Sequence, residues 1–312
     1  MPKPLSNEPI SNTIENANAL EKGRFLTDNT IDIIFCDPPS FKNPIDRQLN
    51  NWTTNKDFEQ WIRIFINVAS IKLKKTGIFY LIGDVEELTP FIDILKEFGF
   101  ILQTSYFFTK NKKLNAGRRV KETSKTIKVV DTILVFSRDI QKKVKKLLKL
   151  KQQEHSKSAR EINYALSGNA NGGGYWSLYC GENSRNILPN EQHWDILKEL
   201  FKIDIQYTEI KPQFIEWNGY NFWDDIKYSD DKFLCGTNRP TQLYERLISM
   251  NINKPKDLTC WDPFTGYGNC VNAMQHLGCK YYASEFEMKI YYKAMINTGH
   301  NISLHKPQLV QL

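Results

Sequence analysis

Apolar residues along this chain fall into two alternating rhythms. Ile31-Asp-Ile-Ile-Phe35 is a short β-branched and aromatic run, stopped by Asp37-Pro38-Pro39, where proline lacks the N–H that a ladder needs. It predicts a buried strand that ends in a loop. Phe58, Trp61, Ile62, Phe65, Val68, Ala69 and Leu73 then recur at three- and four-residue steps, the spacing of a helix with one face on a core. Lys74-Lys75-Thr76-Gly77 closes it. Ile78-Phe-Tyr-Leu-Ile82 predicts a second buried strand, and Val85, Leu88, Ile92, Leu95 and Phe98 predict a second helix ending at Gly99. Strand, helix, strand, helix implies a parallel sheet. Phe100 to Phe108 and Ile127 to Phe136 are further strands, separated by the polar, basic stretch Lys110 to Lys125.

The alternation is lost from Asp139 to Cys235. That segment mixes a lysine-rich helix, the loop Ser167-Gly-Asn-Ala-Asn-Gly-Gly-Gly-Tyr-Trp176 and a helix around His193 to Phe201. The rhythm resumes with a helix at Gln242 to Met250, a strand at Asp257 to Trp261, a helix after Gly268, a strand at Lys280 to Ser284 and a helix from Glu287. Residues 1–138 and 236–312 are therefore expected to build one sheet, with 139–235 inserted between its halves. No repeat of solenoid or propeller period is visible.

Composition narrows the class. With 41% hydrophobic, 12% aromatic and 25% charged residues in 312, the chain has a globular balance and is not disordered in the main. It contains no apolar run near the ~20 residues of a membrane span. The opening Met-Pro-Lys-Pro-Leu-Ser-Asn-Glu-Pro lacks the apolar stretch of a signal peptide, so a cytoplasmic location away from membranes is expected. Six cysteines, Cys36, Cys180, Cys235, Cys260, Cys270 and Cys279, form no Cys-x-x-Cys pair. Reduced thiols and no metal are expected.

The net charge of +7 is unevenly spread: Lys110 to Arg160 holds 17 Lys/Arg against 4 Asp/Glu, and the rest of the chain is net acidic. Such a concentrated positive field suits a polyanion, because neutralising phosphates releases counterions. The same lysines also fit the solvated face of an amphipathic helix over Gln141 to Gln153, with Val144, Leu147, Leu148 and Leu150 among them.

Three stretches carry candidate chemistry. Asp37-Pro38-Pro39-Ser40-Phe41 lies just past the C-terminal end of a buried strand, where ligands bind in open α/β sheets. Its prolines stiffen a loop that presents a carboxylate and a carbonyl. Together these could accept both hydrogens of a planar exocyclic amino group, so that its nitrogen pyramidalises and aims a lone pair at an electrophile. Asp262-Pro263-Phe264-Thr-Gly266-Tyr-Gly268 follows a second strand and opens a helix. Its glycines permit a tight turn and close approach to a ligand, but Val271 occupies the third glycine position of a dinucleotide fingerprint. Glu285, at the end of the next strand, is placed to accept two ribose hydroxyls. This describes a nucleoside pocket without phosphates. Asn238-Arg239-Pro240 precedes a helix N-terminus and suits a carboxylate.

In this order the three stretches resemble the β-class amino-methyltransferases of DNA, which methylate adenine N6 or cytosine N4 with S-adenosylmethionine. The likeness covers most of the chain outside Asp139 to Cys235 and includes Thr76-Gly77 to Gly83-Asp84, Thr132 to Phe136, Leu243, Leu247-Ile248 and Tyr292-x-Ala294. It implies an α/β, Rossmann-like methyltransferase fold, a mostly parallel sheet flanked by helices, with residues 139–235 as target-recognition region. Asp37 and the Pro38 carbonyl would hold the amino group of a base flipped out of double-stranded DNA, alongside Pro39, Ser40 and Phe41. Asp262, Pro263, Phe264, Gly266, Gly268 and Glu285 would surround the cofactor, with Asn238 and Arg239 at its methionine end. Transfer would be direct, without metal or covalent enzyme intermediate. A companion restriction endonuclease and a homodimer are partners that the resemblance leaves open.

The chain departs from the family pattern in two places. Ser40 holds the place of an aromatic residue that stacks on the flipped base, so either Phe41 substitutes or stacking is reduced. Tyr267 and Cys270 stand where smaller residues and threonines are commoner. Aspartate before Pro-Pro favours adenine in this family. Cytosine-N4 methylation, a catalytically silent DNA-binding protein on the same fold, and methylation of RNA, protein or a small molecule are the alternatives. In the recognition region Asn169, Asn171, Tyr175, Trp176 and Arg185 are candidate base readers or wedges, or else part of a loop packed on its own aromatics.

Overall fold

A strand that is apolar on both faces needs cover on both sides, and all six residues of Ile31–Cys36 are buried in the computed structural model. The structure describes residues 12–109, 130–169, 174–181, 187–211, 213–216, 219–226 and 239–300. It divides into two compact units, one built from residues 1–137 and 213–312, the other from residues 138–212.

The first unit is built on an eight-stranded sheet. Its strands are β1 (Thr13–Asn16), β2 (Ile31–Cys36), β3 (Leu73–Gly83), β4 (Phe100–Thr109), β5 (Val130–Arg138), β6 (Phe222–Trp223), β7 (Thr259–Asp262) and β8 (Lys280–Glu285). They lie in the order β1-β8-β7-β2-β3-β5-β4-β6. The run from β1 to β3 is parallel throughout. β5 pairs antiparallel with β3, and β6 parallel with β4. The central pairing, β2 with β7, sets Ile33 beside Cys260 and Ile34 beside Trp261, joining segments from the two ends of the chain.

Successive side chains of a strand face opposite ways. Ile33 and Phe35 enter one core with Tyr80, while Ile34 and Cys36 enter the other with Phe79 and Leu81. The second core is covered by α3 (Asn55–Lys72) and α4 (Val85–Glu97). Thr54 and Asp57 form a capping box that starts α3, and Phe58, Trp61, Ile62 and Phe65 supply its buried face. The first core is covered by three helices from the C-terminal half, Thr241–Ser249, Asn269–Leu277 and Met288–Asn297. The Tyr80 hydroxyl donates to the Leu247 carbonyl at 2.9 Å and ties the first of these helices to the sheet.

Lys74 to Gly77, expected to close α3, instead belong to β3. The cause is Asp32, 1% exposed, whose carboxylate accepts from Lys74 Nζ at 2.7 Å, from the Thr259 N–H at 3.0 Å and from Gln213 Nε2 at 3.3 Å. One buried carboxylate thereby stitches β2, β3 and β7 together at their N-terminal side.

The second unit contains α5 (Ile140–Glu154), α6 (Ala159–Ser167), α7 (Tyr175–Cys180) and α8 (Glu191–Phe201), after the short helices α1 (Ala19–Gly23) and α2 (Pro44–Leu49) of the first unit. Val144 and Leu148 of α5 join Trp194, Leu197 and Phe201 of α8 in a separate core. Lys142, Lys143, Lys146 and Lys149 occupy the exposed side of α5, the amphipathic pattern read from the sequence. This unit ends before Cys235. Phe222 and Trp223 return to the edge of the sheet, so the loss of rhythm after Asp139 covers a helical unit plus one short edge strand. Trp176 is 5% exposed and its indole N–H donates to Gln152 Oε1 at 3.2 Å, and the Tyr175 ring lies 4.5 Å from that of His193. Both pack within the helical unit, in line with the second of the two readings, a loop packed on its own aromatics. Asn169 is exposed, and Asn171 and Arg185 lie outside the described residues.

Asp32→Ala leaves the half-buried Thr259 N–H and the Lys74 ammonium without this acceptor. It is expected to cost about 3 kcal/mol in urea unfolding, and a loss below about 1 kcal/mol would contradict the role assigned to it.

Candidate active site

Parallel strands deliver their C-terminal ends to one edge of the sheet, and a crevice opens where neighbouring strands connect in opposite directions. Here that place lies between β2 and β7. From β2 the chain goes on to β3 on one side, and from β7 to β8 on the other. Asp37 follows β2, while Asp262 and Glu285 end β7 and β8. A cavity of about 600 Å³ opens at this edge.

Asp37, Pro38, Pro39 and Ser40 form one wall. The loop is held by Asp46, whose Oδ2 accepts the Ser40 N–H at 2.8 Å, and burial pushes the Asp46 carboxyl up from its ordinary range. Asn43 caps α2 by accepting the Ile45 N–H at 3.1 Å. Phe41 turns away from the cavity. Its ring stacks on that of Phe58 with centroids 5.7 Å apart, and the Arg47 guanidinium lies 5.4 Å from the Phe41 ring centroid. Phe41 thus anchors the loop to the second core, and the cavity wall at this point is Ser40.

The opposite wall is the glycine turn. Pro263, Phe264, Gly266 and Glu285 line the cavity. Phe264 is seated against Phe65 at 5.1 Å and Trp61 at 5.8 Å. Gly266 donates its N–H to Glu285 Oε2 at 3.0 Å, and Glu287 donates to Oε1 at 2.8 Å. Gly268 does not line the cavity. It turns the chain at φ 85°, where a Cβ would sit 2.6 Å from the Thr298 methyl, so only glycine starts Asn269–Leu277 (α10) here. Asp262 lies beneath the turn, 3% exposed, outside the cavity lining. Its Oδ2 has no hydrogen-bond partner among the described residues.

Burial pushes the Asp262 carboxyl up to about 7, with hydrogen bonds from Thr265 and Phe264 pulling the other way and the charge of Asp37 adding to the rise. Burial likewise pushes Glu285 up to about 7, against the hydrogen bonds from Glu287 and Gly266.

Arg239 closes the site, just before α9 (Thr241–Ser249). Its Nη2 lies 3.2 Å from Asp37 Oδ1 and its Nε 3.4 Å from Asp131 Oδ2. Asn238 lies outside the described residues. The structure therefore brings together Asp37, Pro38, Pro39, Ser40, Pro263, Phe264, Gly266, Glu285 and Arg239 around one cavity, with Asp262 and Gly268 supporting it from below and Phe41 from behind. Sequence reasoning missed Asp46, Asp131 and Tyr244. Asp46 sits in an Asn-Pro-Ile-Asp start of a helix, a signal that was available. Asp131 had none beyond being an acidic residue in a basic stretch. Tyr244 lines the cavity from a helix whose spacing reads only as core. No group of three or more His, Cys, Asp or Glu side chains suited to a metal ion occurs among the described residues, and among them no helix is long and apolar enough to cross a membrane.

Comparison with known proteins bears on this arrangement. The profile of a family described as DNA methylase, N6_N4_Mtase, matches residues 31–298. No curated protein gives a significant match. Among solved structures the chain is similar to the PvuII DNA methyltransferase, described as cytosine-N4-specific, at 13% identity and a TM-score of 0.53 over 91% of this chain and 85% of that one. It is also similar to M1.HpyAVI in complex with SAM, at 15% identity and a TM-score of 0.51 over 91% of this chain and 97% of that one. At such identities these two likenesses speak for the fold.

The raised Asp262 carboxyl has a consequence for stability. The folded state holds this proton more tightly than the unfolded chain, whose aspartates titrate near 3.9. The stability it contributes is full below about pH 4 and is lost as the pH rises through about 7. Asp262→Asn is neutral throughout. Between about pH 5 and about pH 8 its unfolding free energy is expected to fall by about 3 kcal/mol less than that of the unaltered protein; parallel curves in urea unfolding would contradict this.

Proposed function

The chain belongs to the N6_N4_Mtase family of DNA methylases, which take their methyl group from S-adenosylmethionine, and within that family we propose that it methylates the exocyclic N6 of an adenine at a specific site in duplex DNA. The observation that carries this reading is the placement of Asp37 and Pro38 on the wall of the same cavity as Phe264, Gly266 and Glu285. Aspartate rather than serine before Pro-Pro supports adenine as the base.

The residues present fit S-adenosylmethionine. The cavity offers an aromatic face at Phe264, a carboxylate for a diol at Glu285, and negative charge suited to a cationic ligand. When bound, the cofactor supplies an electrophilic methyl carbon and leaves as a neutral thioether. The chain's own residues do the rest. Asp37 and the Pro38 carbonyl accept the two amino hydrogens, which frees the nitrogen lone pair from the ring. The stiff prolines keep these acceptors from relaxing away. Once the nitrogen carries the methyl group it sheds one proton, which the Asp37 carboxylate, already accepting an amino hydrogen, is suited to take up. The adenine has to leave the duplex to reach this wall. With Ser40 in place of an aromatic residue and Phe41 packed behind the loop, stacking on the base is reduced on this side.

In the same reading residues 138–212 supply target recognition, with the exposed lysines of α5 on phosphates. The reading is compatible with a cytoplasmic enzyme related to a restriction-modification system, with a companion endonuclease and with a homodimer.

Transfer of a labelled methyl group from S-adenosylmethionine to duplex DNA, followed by nucleoside separation, tests the reading. The expected product is N6-methyladenine, and Asp37→Ala is expected to lower the rate by roughly 100-fold or more. N4-methylcytosine as product would replace the base assignment, and equal rates in the variant would overturn the role of Asp37.

A ribose diol donating to Glu285 prefers the ionised carboxylate, and burial in the free protein pushes this group up to about 7. Cofactor binding is therefore expected to expel a proton at lower pH. Its affinity, measured by calorimetry, should rise with pH by up to about tenfold per pH unit below 7 and then level off. A flat profile would remove Glu285 from the ribose site.

A further inference from the structure

A buried guanidinium is held only where its charge is met, and Arg239, with a side chain 10% exposed, is met on two edges by carboxylates of the protein itself. Asp131 of β5, 5% exposed at its side chain, faces Nε, and Asp37 faces Nη2. The main chain of Arg239 is fixed as well. Asn269 Nδ2 donates to its carbonyl at 2.7 Å, and Asn297 Nδ2 donates to Asn269 Oδ1 at 3.1 Å. The arginine is thus held through its backbone by α10 and the end of α11 (Met288–Asn297), and through its side chain by β5.

From this geometry we propose that Arg239 is a positioning residue for the methyl-transfer step, anchored by Asp131 so that its guanidinium keeps the Asp37 carboxylate ionised and aimed into the cavity. The inference rests on the reading of the site given above and assigns Arg239 a different task from contact with the methionine end of the cofactor. The reason lies in what surrounds Asp37. Asp262 approaches from β7 with like charge, which on its own would favour protonation of Asp37. The Cys36 thiol of β2, the Cys270 thiol of α10 and the Tyr244 phenol of α9 also face this region, and burial holds all three well above their ordinary values, so they stay neutral. Arg239 supplies positive charge at ion-pair distance. A protonated Asp37 would have one oxygen committed as a donor and could neither accept an amino hydrogen as strongly nor take up the proton released after transfer.

Three full-length proteins test this: the unaltered chain, Arg239→Gln and Arg239→Lys. The Asp37 titration is read by carboxyl-carbon NMR on protein labelled at aspartate, assigned with Asp37→Asn. Cofactor affinity is read by calorimetry, and kcat and KM for duplex DNA are read across pH. In Arg239→Gln the Asp37 pKa is expected to rise by about 1 to 3 pH units, with kcat lowered roughly 10-fold or more at the acid end and recovering as the pH rises. Arg239→Lys keeps the charge and is expected to restore most of the Asp37 titration. Cofactor affinity is expected to stay within about 3-fold, under 1 kcal/mol. An Asp37 titration unchanged in Arg239→Gln would overturn the proposal, as would a loss confined to cofactor affinity with kcat at saturation intact. Because the NMR and calorimetric readouts need no turnover, an unaltered protein that transfers no methyl group to DNA would defeat the functional reading while the positioning role is still decided.

Discussion

The parallel pairing of β2 with β7 is the constraint on which the site depends. It joins strands from opposite ends of the chain, in register at Ile33 with Cys260 and Ile34 with Trp261, and Asp32 locks it by accepting the Thr259 N–H across 227 positions of sequence. Because the strands are parallel, their C-terminal ends meet at one edge, so Asp37 and Asp262 arrive side by side and β8 adds Glu285. Slipping this register by one residue would exchange the two faces of β2. Ile34 and Cys36 would then face the helices of the C-terminal half, and the core would fail before the site did.

The site gathers carboxylates where desolvation is costly, and it handles them in two ways. Asp37 meets a guanidinium. Asp262 and Glu285 are pushed up to about 7, so near neutrality they sit between protonated and ionised. A cationic ligand or a donating diol stabilises the charged form. The same edge of the sheet thus combines one carboxylate held ready to accept hydrogen bonds with two whose charge a ligand can draw out.

Much of this was legible in the sequence. The β-branched run before Asp-Pro-Pro, the periodic aromatics of α3 and the strand, glycine turn and helix around Asp262 each state their structure locally, and the order of the stretches pointed to the family. What escaped depends on distant partners. Thr13–Asn16 carries no apolar run and becomes β1 only by pairing with β8, and Phe222–Trp223 is two residues long. Lys74 to Gly77 read as a helix end because Asp32, their partner in three dimensions, lies far off in sequence. For Phe41 the sequence left open whether it replaces the missing aromatic residue, and its packing against Phe58 and beneath Arg47 depends on partners that the local sequence does not announce. The antiparallel entry of β5 beside β3 also lay beyond a rhythm that implied only parallel strands, and with it went the position of Asp131.

The most direct test of the account is long-read sequencing for modified bases in DNA from a methylation-free bacterial host that expresses the protein, beside the same host expressing Asp37→Ala. The account predicts N6-methyladenine in one sequence motif, present with the unaltered protein and absent with the variant. Unmodified DNA from cells that contain folded, cofactor-binding protein would contradict it.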